Sequence, residues 1–372
     1  MIQIKKVKSS KDVKAFIMLP FRLYKDDPNW VPNLIGDEKK HLSPKHNPFF
    51  QYAEAELFLA LKDGKVVGRI SAHTNPRHNA KHNDNAGFFG FFECIDDVEV
   101  ARALLDEAIR WNKAKGRDKI LGPFSFTIND ECGLLVDGFD TPPMLLNTHA
   151  RPYYQRLLEE AGFTKAMDMY AYLSEKTEMP ERIERMAAAI ERRTGVKIKT
   201  LSANKKQRAE DIKRIFKVYE KAWEDNWGNV PLTQKELENL TAQLLPLADP
   251  ELVLLAEIDD EPVGFSLAMP NFNEVLKVMH GRVNPITIIK ALIAKSRIST
   301  ARVITMGVID GFRQKGIDTV FYYRSYKHGL AKGYFRGEFS WVLETNTMMN
   351  RVAEMLDAVR YKTYRIYEKQ ID

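Results

Sequence analysis

Short blocks of β-branched and aromatic residues, bounded by turn-forming residues, recur in two separate stretches of the chain, and each series gives way to segments of helical spacing. In the first stretch, residues 55–61 and 65–72 alternate around a Lys62-Asp-Gly64 turn, which predicts a hairpin. Residues 87–93 read as a further strand, and residues 98–111 as a helix that Asp96 or Asp97 caps. A strand before Gly122-Pro123, a helix over 152–162 and a strand over 163–173 complete the series. Residues 124–143 mix turn formers with aromatics and predict a long loop over a cleft. Ahead of all this, residues 10–24 predict a helix that the run Asp26-Asp-Pro-Asn-Trp-Val-Pro32 ends.

The polar segment 174–180, closed by Pro180, marks a boundary, so domains are expected at 1–175 and 176–372. Helices follow over 181–193 and 209–223, and Thr233-Gln-Lys-Glu236 has capping-box spacing. Residues 251–257 and 263–268 repeat the hairpin around a turn at 259–262. A strand over 303–308, a helix over 319–330, a strand at 338–346 and a helix at 348–358 come next, and Tyr361, Tyr364 and Tyr367 have strand spacing. The order strand, turn, strand, strand, helix, strand, helix, strand therefore occurs twice. It predicts an α/β (α+β) chain of two mixed-sheet domains.

At 372 residues and 44% hydrophobic content the chain can fill two cores. The formal charge of +6 is dispersed; with no zinc-finger spacing or arginine-rich tail, no nucleic-acid partner is expected. Cys94 and Cys132 are read as reduced, buried thiols of a cytoplasmic protein. The start of the chain carries no export signal, and the apolar run 286–294 is too short to span a bilayer. It is read as core or interdomain packing ahead of the alternative that it lies on a membrane surface or an acyl chain, with no integral membrane association. His73, His78 and His82 lack a cysteine partner and are placed in a solvated loop, with no metal site.

The segments at 26–32, 47–50 (Asn-Pro-Phe-Phe), 87–93 and 338–344 resemble those of a bacterial family with tandem GNAT-like acyltransferase domains, and the repeated order is similar to two copies of the GNAT fold. Arg313-Gln-Lys-Gly316-Ile-Asp318 resembles the GNAT pyrophosphate loop, matching at Arg313 and Gly316 and departing at Asp318. The resemblance implies that Arg313, Gln314, Lys315 and Gly316 hold the diphosphate, that Val308 and Ile309 offer backbone groups to pantetheine, and that Asn346 orients CoA or caps a helix. Met355 and Leu356 stand where the family's tyrosine acid is expected. Glu344 is the candidate catalytic base, with Glu338 beside it. Acidic Glu93–Asp97 replaces the loop in the first half, so that half is expected to help enclose the acceptor, with Asn129, Asp130 and Glu131 as candidate contacts. The implied function is N-acyl transfer from acetyl-CoA or a longer acyl-CoA, as cosubstrate, to a small amine or amino acid. A non-catalytic acyl-CoA sensor or paired-domain interaction protein is the alternative, since it accounts for Asp318 and the missing tyrosine.

Overall fold

The computed structural model describes residues 1–371 apart from 176, 177 and 179, and the expected boundary at 174–180 falls partly on those three. Among the described residues thirteen strands form one sheet: Ile2–Lys6 (β1), Ala55–Lys62 (β2), Lys65–Thr74 (β3), Ala86–Cys94 (β4), Lys119–Gly122 (β5), Leu134–Asp137 (β6), Thr164–Glu175 (β7), Lys197–Thr200 (β8), Val253–Ile258 (β9), Glu261–Pro270 (β10), Thr300–Val308 (β11), Arg336–Leu343 (β12) and Val359–Gln370 (β13). Their order is β1-β2-β3-β4-β5-β13-β7-β12-β11-β10-β9-β8, with β6 paired to β13. The two longest strands are exchanged between the halves. β13, from the end of the chain, lies beside β5, whereas β7 lies beside β12, and the two pair with each other antiparallel.

Local chemistry explains the hairpins. Asp63 and Gly64 have φ of 52° and 74°, and Asp259 and Asp260 have φ of 51° and 62°, the left-handed pair that a two-residue hairpin turn demands. Aspartate tolerates that conformation, so β10 already begins at Glu261, inside the segment read as turn. Asp97 caps the helix Val98–Ala114 through the amides of Glu99 (3.0 Å) and Val100 (3.3 Å). Thr233 and Glu236 close a reciprocal capping box on Gln234–Leu244.

In each half a parallel pair of strands runs together briefly and then parts. β4 pairs with β5 only over Ala86–Phe88, and β11 with β12 only over Thr300–Val303. One core packs Phe88, Leu104, Leu105 and Leu157 under the first opening; another packs Ile190, Leu254, Val320 and Phe321 under the second.

Two readings of the sequence are corrected. The histidine segment is no solvated loop: His73 lies on β3 with no exposure, and Pro76–His82 is a helix on which His78 is buried. Asn75 supplies the cap and Pro76 the first turn, a start signal that the polar composition obscured. The run 286–294 is not core either, because the helix Pro285–Lys295 contains no buried residue.

A buried ion pair holds the base of the second opening. Arg302 on β11 and Glu338 on β12 approach to 3.4 Å with almost no exposure. Arg302 also donates to Ser340 Oγ (2.9 Å), the Ser340 carbonyl (3.1 Å) and the Leu145 carbonyl. Glu338 accepts from Asn147 (3.3 Å) and Tyr361 (3.4 Å). Burial raises the pKa of Glu338, and the guanidinium opposes that rise. Arg302→Ala strands the carboxylate in a dry site and is expected to cost about 3–5 kcal/mol. Arg302→Met with Glu338→Gln should cost less, as the denaturation midpoints of the two variants will show.

Candidate functional site

The opening between β4 and β5 leads into a cavity of about 130 Å³. Phe91 and Glu93 from β4, Phe124 and Ser125 from beyond β5, His149 from the connection to the next helix and Asn273 from the second half all line it. The edge of β4 is shaped for this. Phe91 has φ of 50°, and the register with β3 slips between Arg69 and Ser71, so the strand bends away from its neighbour. Gly90 is required beside the bend, because a Cβ there would lie 1.6 Å from the Phe124 carbonyl oxygen. The cavity suits the reacting end of a ligand rather than a whole one.

His149, which lines it, is bonded directly to Asp27 behind the wall, with Nε2 3.0 Å from Asp27 Oδ2. Asp27 is itself held by the Asn29 amide (2.9 Å) and lies 3.5 Å from Arg151. Burial would raise the pKa of Asp27, yet the bonds from His149 and Asn29 outweigh it and keep the carboxylate ionised. Burial lowers the pKa of His149 despite the bond to Asp27. A neutral ring that donates Nε2–H to Asp27 carries its lone pair on Nδ1, and that buried atom has no hydrogen-bond partner. A histidine oriented by a carboxylate, in the wall of a cavity and with its other nitrogen buried and unpaired, has the chemistry of a base that takes a proton from a substrate once that nitrogen is reached.

Around this pair the site is acidic and aromatic. Glu93 accepts the hydroxyls of Tyr24 (2.8 Å) and Tyr154 (2.7 Å), with Arg69 at 3.8 Å, and burial raises its pKa. Trp30 stacks on Tyr24 at 5.3 Å, so the 26–32 run supplies both a wall of the cavity and the carboxylate of the pair. Glu131 also lines the cavity and accepts from Asn33 (3.1 Å); burial, then the charge of Glu38, pushes its pKa up to about 7. Of the acidic loop residues expected near an acceptor, Asp130 instead caps Thr127 (3.1 Å), and Asn129 bonds to the Val230 carbonyl (3.1 Å).

The second opening is largely closed by its own chain. Arg313 donates to the carbonyls of Val308 (3.1 Å) and Ala222 (2.9 Å) and pairs with Asp310 (3.0 Å). Trp223 donates to the Met306 carbonyl (3.2 Å), and the Ile309 amide is spent on Val263 (3.0 Å). Gly316, at φ 82°, begins the helix Ile317–Ala331. Burial raises the pKa of Asp318 there and the amides of residues 318 and 319 oppose the rise, so the departure from the loop pattern places an acidic side chain at the helix N-terminus. Gln314 and Lys315 remain exposed. Asn346 caps Thr347–Met355 through the Met349 amide (3.1 Å). Glu344 binds Lys165 (2.8 Å) and the Asp168 amide (3.1 Å), so both of its oxygens are committed. The two openings adjoin through Asn147, which lines the cavity and bonds to Glu338 and Ser340. Sequence reading missed the His149–Asp27 pair. The only available signal was the 26–32 run, which reads equally well as a helix stop.

These features define a tandem GNAT fold. A tandem GNAT protein from the clavulanic acid biosynthesis pathway matches with a TM-score of 0.59 at 11% identity, over 100% of this chain and 99% of that one. A GCN5-related N-acetyltransferase from Sphaerobacter thermophilus matches at 0.55 and 14%, over 100% and 96%. No protein-family model matches. The bacterial ceramide synthase of Caulobacter vibrioides is 38% identical over 98% of this chain and 96% of its own length. Protein YghO of Escherichia coli is 36% identical over 98% and 94%. The chain belongs to the family of these two proteins.

Glu131 provides a test of the cavity's dryness. Its folded pKa of about 7 lies above the ordinary 4.5, so the folded state holds the proton more tightly than the unfolded chain. Its contribution is therefore fully present below the ordinary value and is lost as pH rises to about 7. Glu131→Gln should flatten that loss in a thermal-midpoint profile; an unchanged profile would mean that water reaches the carboxylate.

Proposed function

We propose that this protein is an N-acyltransferase that moves an acyl group from acyl-CoA to the amine of a long-chain acceptor. The observation that carries the reading is the His149–Asp27 pair at the cavity, with Nδ1 unpartnered. The fold supports the acyl-CoA class, and the ceramide synthase relative supports the acceptor, since a ceramide is a fatty-acyl amide of a long-chain amino alcohol. For this reason a lipid amine is favoured over the small amine or amino acid that the sequence suggested. Longer acyl-CoA is favoured over acetyl-CoA on the same ground.

In this reading the neutral acceptor amine attacks the thioester carbonyl, and His149 Nδ1 takes one proton from the attacking nitrogen as it does so. A C–N bond forms as the C–S bond breaks, and the imidazolium returns the proton to the departing thiolate. Asp27 fixes the ring and stabilises its charged form. The base is thus His149 rather than Glu344. The diphosphate is assigned to the exposed loop residues Gln314 and Lys315, with Gly316 shaping the turn. Arg313 and the first amides of the following helix are already engaged, as is Ile309. Val308 and Asn346 are assigned to the pantetheine side of the same opening.

His149→Ala should lower kcat by about 10²–10⁴-fold in an assay of amine-dependent CoA release, with the fold retained. Full turnover in this variant would remove the proposed base, and CoA binding without amine-dependent thiol release in the native protein would favour the sensor. A lowered histidine pKa also sets the acid limb of the rate profile. Activity should persist below the ordinary histidine range and fall only when the ring protonates. Asp27→Asn removes the contact that opposes the shift and should move that limb lower still. Lys315→Ala should raise KM for acyl-CoA while leaving kcat nearly unchanged.

A further inference from the structure

Six of the eleven large apolar side chains that are exposed among the described residues lie between Val283 and Ile293. Five belong to the helix Pro285–Lys295, with exposures of 67% at Ile286, 60% at Ile289 and 64% at Leu292. At helical spacing these form one outward arc, while Ala291 and Ala294 turn inward onto a core containing Phe272, Val275 and Met279. Arg282, Lys290, Lys295 and Arg297 are exposed around the arc, and from 275 to 309 the sequence contains no Asp or Glu. Asn284 caps the helix at 3.1 Å from the Ile286 and Thr287 amides, so the arc is presented in a fixed form.

The helix also stands at the rim of the cavity. The turn before it holds Gly281, whose carbonyl accepts the Ile35 amide at 2.9 Å. A Cβ on Gly281 would lie 2.5 Å from Phe21 and 3.1 Å from the Asn33 carbonyl oxygen, and Phe21 and Asn33 both line the cavity. In the first half, the matching connection between β3 and β4 carries only the helix Pro76–His82. The second apolar helix is thus an addition to the repeated plan.

We propose that Val283 and the outer face of Pro285–Lys295 dock on an anionic phospholipid bilayer surface, lying in the interface with the flanking cations among the headgroups. An apolar arc bordered by lysine and arginine, on a run of sequence that carries no carboxylate, matches such a surface in both polarity and charge. A second copy of the chain fits less well. A two-fold pairing of this face would set its unbalanced cations against their own equivalents. Docking here brings the cavity rim to the bilayer, where a lipid amine enters without crossing water.

The test is sedimentation of the full chain with vesicles of phosphatidylcholine alone or mixed with phosphatidylglycerol. Binding is expected to the anionic vesicles and to weaken with salt. Ile289→Glu with Leu292→Glu should reduce the bound fraction by about tenfold or more, and Lys290→Glu with Lys295→Glu should abolish the anionic preference. All four positions are exposed, so the thermal midpoint should not change. Indifference of the native chain to anionic vesicles, or unchanged binding in the Ile289/Leu292 variant, would overturn the proposal. So would a dimer that this variant dissolves without any vesicle binding by the native chain. Acyl transfer to a soluble short-chain amine should survive in both variants, which separates failure of docking from failure of the catalytic reading.

Discussion

The exchange of β7 and β13 is the constraint on which the rest of the structure depends. At their crossing Asp168 and Arg365 stand directly opposite each other and join through two bonds of 2.7 and 3.0 Å. Each half needs the other's long strand to continue its own sheet, so neither can lose its partner without exposing a row of backbone donors and acceptors. The segment between β6 and the helix Tyr153–Glu160 passes between the two openings as a consequence. From there Leu145 and Asn147 reach the second half while His149 reaches the first.

The two openings have the same origin and different contents. A parallel pair that separates after three or four residues leaves unpaired strand edges and a following helix whose first amides are exposed. In both halves an acidic residue stands at that helix start, Asp97 bonded to the first amides in one and the part-buried Asp318 in the other. The first opening is lined by ionisable groups and keeps a cavity, whereas the carbonyls at the second are covered by Trp223 and Arg313. In the proposed mechanism this division places proton chemistry in the half that lacks the basic loop.

How much was legible follows from how local each signal is. Both hairpins, the Asp97 cap and the Thr233–Glu236 capping box depend on residues within four positions of one another, and the sequence reading located them. The partner choice of β7 and β13 depends on a register nearly two hundred residues apart, and strand alternation carries no address. His149 and Asp27 are separated by 122 positions, with an intervening sheet to bring them together. The loop pattern at 313–316 was visible as a string, yet the engagement of Arg313 by Val308, Ala222 and Asp310 depends on the folded surroundings.

The helix Pro285–Lys295 shows the limit of periodicity in its simplest form. Apolar residues on most of its faces predict burial, and the same pattern serves a helix that meets hydrocarbon instead of protein. What separates the two cases is the surrounding charge: a buried helix tolerates few flanking cations, whereas this one has four exposed and no carboxylate to balance them. Five large aliphatic side chains left in solvent contribute nothing to folding, and a patch of this kind marks a surface that another apolar phase receives. Because the turn that launches the helix is packed against Phe21 and Asn33, whatever receives those side chains is held beside the cavity. The same contact therefore ties an apolar surface to the His149–Asp27 cavity, the pairing that the proposed acylation of a lipid amine requires.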